Sequence, residues 1–189
     1  MAETENPSFY KHLEFDLHTL RLDLFRLLYY FAGSSKVHEL PEDKYTEGDG
    51  REVVLQSFLE LENKYFQKEA GRILLQSAVF TRLVLDESEA DPEEHPVNAC
   101  GFLEQSAKTE PLSLREACNK IVHSKKINFD RAAAEGHYEP YVYLYGTTRG
   151  GKEWKAELHV VPFVGYAANV LQFRTIGDFL EHESQFGNI

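Results

Sequence analysis

An α+β fold dominated by helices is predicted by three features of the chain. Two long runs, one opening at residue 6 and one at residue 51, repeat apolar side chains at helical spacing. A third, shorter run at 112–126 opens on a helix-capping signal. From residue 126 the pattern changes to alternating, β-rich segments around a glycine pair. The expectation is one domain over 1–189: a flexible N-terminus at 1–8, a helical bundle at 9–125, a small sheet at 126–161 and a C-terminal helix at 162–186. The sheet is expected as an antiparallel hairpin with room for a third strand.

The first helix is expected from Asn6, a capping residue, followed by Pro7 at the first helical position, where a missing N–H costs nothing. Leu13, Leu17, Leu20, Leu24, Leu27 and Phe31 form its stripe, and "AGSS" at 32–35 should end it. Phe15, Leu22, Phe25 and Tyr29 lie off the stripe, so the helix is apolar on more than one side. Such a helix is either central to a bundle or shared with a second subunit.

A polar loop full of breakers spans 34–50, and a second helix should run from Arg51 to about Leu85. Val54, Phe58, Leu61 and Tyr65 give its early stripe, continued by Phe66, Ala70, Ile73, Phe80 and Val84. Gly71, which costs roughly 1 kcal/mol against alanine in a helix, is a candidate bend. Two helices of this length pack most naturally antiparallel.

An acidic loop follows at 86–96, and a short helix is expected near Ala99–Ala107. Ser113 and Glu116 then make a capping box that starts a helix at Leu114, with Leu114, Ala117, Cys118, Ile121 and Val122 buried. "KINFD" at 126–130 reads as a short strand. "PYVYLYGT" at 140–147 and "EWKAELHVV" at 153–161 flank "TRGGK" as a hairpin. Pro162 should open the last helix through Phe163, Tyr166, Ala167, Val170 and Leu171, with a separate turn at "DFLEHES".

Composition excludes several classes of function. The formal net charge is −11, which argues against broad non-specific binding to nucleic acid, since that needs a basic surface to release counterions. DNA binding is not expected, and any RNA contact has to be local. Two cysteines, Cys100 and Cys118, in a chain of this size suit a reducing, cytoplasmic setting. Neither a secretory leader nor an apolar run long enough to span a bilayer is present, so no membrane role is expected.

The residues that point to chemistry lie in "LSLREACNKIVHSKK". Arg115, Asn119 and His123 fall at intervals of four, which makes them neighbours along one helix face. Metal-independent hydrolysis of RNA needs a base for the 2′-hydroxyl and a cation for the developing phosphorane charge. Histidine suits the first task and arginine the second, with Asn119 orienting substrate or imidazole. Between Ser113 and Arg131 there are five basic residues against two acidic ones, an island in an acidic chain that includes Lys120, Lys125 and Lys126 as RNA contacts. The plainer alternatives are a solvated helix face, or Asn119 and His123 pairing within the fold with His123 donating to a backbone carbonyl near the following strand.

The segment "LREACNKIVH" resembles the signature helix of HEPN domains, in which an Arg, a polar residue (commonly Asn), three variable residues and a His occur together. Asn119 and His123 match that Asn and His in spacing. Cys118 occupies the position of the family's Arg, with Arg115 one turn earlier and Lys120 just after Asn119. The resemblance implies a compact helical bundle that dimerises to build a composite site. It also implies metal-independent endoribonuclease activity of the toxin–antitoxin, phage-defence or RNA-processing kind, with RNA and an antitoxin or other protein as partners and no cofactor. Other members of the family are non-catalytic. The motif covers about ten residues, and the helical order preceding it about the first 125.

Other signals point to no chemistry. His12, Asp16 and His18 share the first helix, but no di-iron, zinc or P-loop spacing is present, and no metal is expected. Tyr141, Tyr143 and Tyr145 project from one strand face near Trp154. Such a row can stack bases, but more commonly packs across strands over a helix. An acidic interaction surface on a non-catalytic helical protein is the competing functional expectation.

Overall fold

The computed structural model describes residues 17–38, 51–87, 99–130 and 140–172. Helix α1 spans Leu17–His38 and α2 spans Arg51–Glu87. Strands β1 (Ala99–Gln105) and β2 (Lys108–Ser113) follow, then helix α3 (Leu114–His123). Strands β3 (Lys126–Asp130), β4 (Tyr141–Thr147) and β5 (Glu153–His159) complete one sheet, and helix α4 covers 160–172. The expected cap at Asn6 and the turn at "DFLEHES" lie outside the described residues.

The stripe on α1 is buried as its spacing requires: Leu20, Leu24, Leu27 and Phe31 are at most 2% exposed. Each such side chain contributes about 2 kcal/mol on leaving water. Helices α1 and α2 are antiparallel, because Asp23 meets Arg72 while the later Phe31 meets the earlier Phe66. Asp23 is itself buried, and guanidiniums of Arg26 and Arg72, each donating at 3.0 Å, make its charge tolerable there.

The predicted end of α1 at 32–35 is passed, since the helix runs on to His38. In α2 the buried row is Phe66, Ala70, Ile73, Leu74, Ala78 and Leu85. Leu61 and Tyr65, expected in the core, face outward, because that row fixes the rotation of the helix and leaves them on its far side. Gly71 does not break the helix.

The sheet is larger than a hairpin. Five antiparallel strands lie in the order β2-β1-β5-β4-β3. The helix expected at Ala99–Ala107 is instead β1 and its turn, so the sheet begins at residue 99 rather than 126. Gly101 explains part of the change. Its φ is +139°, and a Cβ there would fall 1.9 Å from the Glu157 carbonyl oxygen on β5, so only glycine lets the two strands approach at this bulge. Pro111 is tolerated on β2 because that strand is an edge.

One sheet face carries Leu144, Val142, Ala156, Leu158 and Trp154 into the core shared with the helices. The indole of Trp154 lies across Gly146, where any Cβ would meet it at 2.2 Å. Tyr141, Tyr143 and Tyr145 occupy the other face, half-buried among cross-strand neighbours, so they and Trp154 are on opposite sides of the sheet. Helix α4 begins at 160, two residues before Pro162, with the Val160 N–H donating to the Pro140 carbonyl at 3.0 Å. Phe163, Val164, Ala167 and Leu171 close the core.

Candidate functional site

Helix α3 starts where the capping signal placed it. Ser113 Oγ accepts from the Glu116 N–H at 3.3 Å. Leu114, Ala117, Cys118 and Ile121 are buried, whereas Val122, expected with them, is 40% exposed. That rotation sets Arg115 and Asn119 on the flank facing α2 and leaves His123 exposed at the end of the helix.

Arg115 donates to the Leu85 carbonyl at 2.7 Å and to the Asp86 carboxylate. Asn119 donates through Nδ2 to Glu116 at 3.1 Å, and its Oδ1 accepts from Arg82. Arg82 also donates through Nε to both oxygens of Asp86, at 2.9 and 2.7 Å. Hydrogen bonding from Arg82, reinforced by the charges of Arg82 and Arg115, holds the Asp86 carboxyl below the usual aspartate range. His123 is exposed at the last position of α3.

Arg82 is the residue that reasoning from sequence did not find. It lies 37 positions before Asn119, on another helix, and no local pattern singles it out. Its guanidinium comes to Asn119 from α2. Cys118, at the position where the resemblance calls for an arginine, points into the core with no exposure at all. Burial pushes the Cys118 thiol up to about 12, and the Cys100 thiol likewise, so neither is a nucleophile at neutral pH. Cys100 and Cys118 are not joined in a disulfide.

The three lysines separate. Lys120 turns toward the sheet, with its side chain 12% exposed, pairing with Glu116 at 2.9 Å and placing Nζ 4.6 Å from the Trp154 ring centroid. Lys125 and Lys126 are exposed where α3 hands over to β3. The Lys125 N–H donates to the Tyr145 carbonyl at 2.8 Å, and Lys126 Nζ lies 5.7 Å from the Tyr145 ring centroid.

Compared with protein-family models, curated proteins and solved structures, the chain matches none. The site is therefore interpreted through its own chemistry. Two guanidiniums and an amide meet on one flank and supply donors for a phosphate, and an exposed imidazole ends the same helix. Among the described residues, no three His, Cys, Asp or Glu side chains are placed to hold a metal ion. No helix of the described residues is long and apolar enough to cross a membrane.

Proposed function

We propose that the chain is a HEPN-like protein that cleaves RNA without a metal, acting as a homodimer in a toxin–antitoxin or phage-defence setting. The observation that carries this reading is the delivery of Arg82 to Asn119, with His123 exposed one turn further along the same helix. It supplies from α2 the guanidinium that Cys118 withholds from α3. In this reading His123 takes the 2′-hydroxyl proton and returns one to the leaving oxygen. Arg115 and Arg82 balance charge on the phosphorane, and Asn119 sets their spacing. Leu22, Phe25 and Tyr29 on α1, with Leu75, Val79 and Leu83 on α2, are outward apolar rows that suit a second copy of the chain.

A second reading, a non-catalytic HEPN-like interaction protein, is favoured by a different observation. Asp86 already satisfies both guanidiniums, so a phosphate would have to displace a carboxylate.

Incubation of the purified protein with total RNA in EDTA, beside His123→Ala, separates the two readings. The first expects cleavage that falls by about a hundredfold or more in the variant, the usual loss when a general acid–base group is removed. Equally intact RNA in both samples overturns it and leaves the second.

A further inference from the structure

One end of the sheet differs in charge from the rest of the molecule. At this end lie the start of β3, the β4–β5 turn, the first residues of β5 and the tip of the β1–β2 hairpin. Lys108, Lys125, Lys126, Arg149, Lys152 and Lys155 gather there against Glu104 and Glu153. Glu110 and Glu157 lie further into the sheet. An excess of about four positive charges at one pole, in a chain of net −11, gives a local field of the sign that attracts phosphate.

The same pole carries aromatic surface and a recess. A cleft of about 370 Å³ opens between the hairpin tip and the first residues of β5, lined among others by Tyr145, Trp154, Lys108 and Lys155 and by the carboxylates of Glu104 and Glu153, Lys155 pairing with Glu104 at 3.3 Å. Tyr145 stands between Lys126 on β3 and Lys155 on β5 in register. Lys126 Nζ lies 5.7 Å from the Tyr145 ring centroid, and Lys155 Nζ lies 5.2 Å from that of Tyr143. Cation–π contacts of exposed lysines are weak. A base can replace the ammonium on the ring face while the freed lysine moves to the adjoining phosphate.

We infer that this pole binds single-stranded RNA, with Tyr145 as a stacking surface and Lys126, Arg149, Lys152 and Lys155 as phosphate contacts. The row from Lys126 through Tyr145 and Lys155 to Glu104 crosses four strands, about 14 Å at ordinary strand spacing, which accommodates a short run of nucleotides. Single strands suit the site because stacking on tyrosine requires unpaired bases. His123 ends α3 three residues before Lys126, at the same end of the sheet. The binding surface stands independently of the nuclease reading.

The test is fluorescence anisotropy of the full chain with a labelled oligouridine 12-mer, the matching duplex and poly-glutamate as probes. The single strand should bind, and its affinity should fall roughly fiftyfold between about 50 and 200 mM salt if about four phosphates are neutralised. Lys126→Glu, Arg149→Glu and Lys152→Glu together, all exposed positions, should abolish binding with the circular dichroism unchanged. Tyr145→Leu, which keeps the sheet packed and removes the π face, should weaken binding about tenfold. Absence of binding, preference for duplex, capture of poly-glutamate in place of RNA, or indifference to the triple reversal overturns the inference. Binding by a protein that leaves RNA intact sustains it while overturning the nuclease reading.

Discussion

Cys118 is the residue at which the motif resemblance and the structure meet most directly. On paper, Cys118→Arg completes the HEPN pattern beside Asn119. In the fold the position has no solvent exposure and lies in the core with Cys100 and Ile121. A guanidinium there would lose its hydration in the core and meet the like charges of Arg82 and Arg115, at a cost of several kcal/mol. Cys118→Arg is therefore expected to lower the thermal midpoint steeply and to gain no ribonuclease activity, whereas Cys118→Ala should remain folded. A folded Cys118→Arg with increased cleavage would place the reacting phosphate on the other side of α3. The sequence could not reveal this. Spacing identifies which residues share a face, but a single residue between two faces is assigned only once neighbouring helices fix the rotation. Asn119 and Cys118 are adjacent in the chain and lie on opposite sides of that boundary. Arg82 was invisible for a related reason, since its partnership with Asn119 is made by tertiary packing alone.

At the scale of elements, the β1–β2 hairpin shows most clearly what pattern reading missed. Runs with strong local signals were legible: the capped start of α3, the long α2, and the alternation in β4 and β5 around a glycine-bearing turn. The hairpin has no such signal. Its two-residue turn is Ser106-Ala107, with φ of +53° and +61°, where asparagine and glycine would ordinarily stand. β1 also carries a glycine bulge and β2 a proline, both of which weaken a strand pattern. An alanine in the left-handed region costs about 1 kcal/mol or more relative to glycine. Ala107→Gly should therefore raise unfolding stability by about 1 kcal/mol, measured by urea titration with an unchanged m-value. An unchanged or lower midpoint would mean that the turn takes another conformation in solution.

For the whole molecule, the decisive junction is the one between the helical layer and the motif helix, and a single carboxylate closes it. Asp86 on α2 receives Arg82 from its own helix and Arg115 from α3, while Glu116 and Lys120 pair with each other on the adjoining part of α3. Its folded pKa is depressed, first by the hydrogen bond from Arg82 and then by the two guanidinium charges. A carboxyl depressed in the folded state binds fewer protons there than in the unfolded chain. Its stabilisation is complete above the unfolded value, near pH 4, and disappears as pH falls through the lower folded value. Asp86→Asn removes the titration but keeps a carbonyl that both arginines can reach. Wild type should therefore be the more stable of the two at pH 7, and the difference in their thermal midpoints should shrink below about pH 4. Other carboxylates titrate in both proteins and cancel in the comparison. A gap that stays constant to pH 2 would mean that Asp86 contributes through shape rather than charge. The same substitution bears on function, because removing the competing carboxylate frees Arg82 and Arg115 for a phosphate. If the site cleaves RNA, Asp86→Asn should bind its substrate at least as tightly as wild type while being the less stable protein, and measuring both in one preparation separates a structural anchor from an inhibitory one.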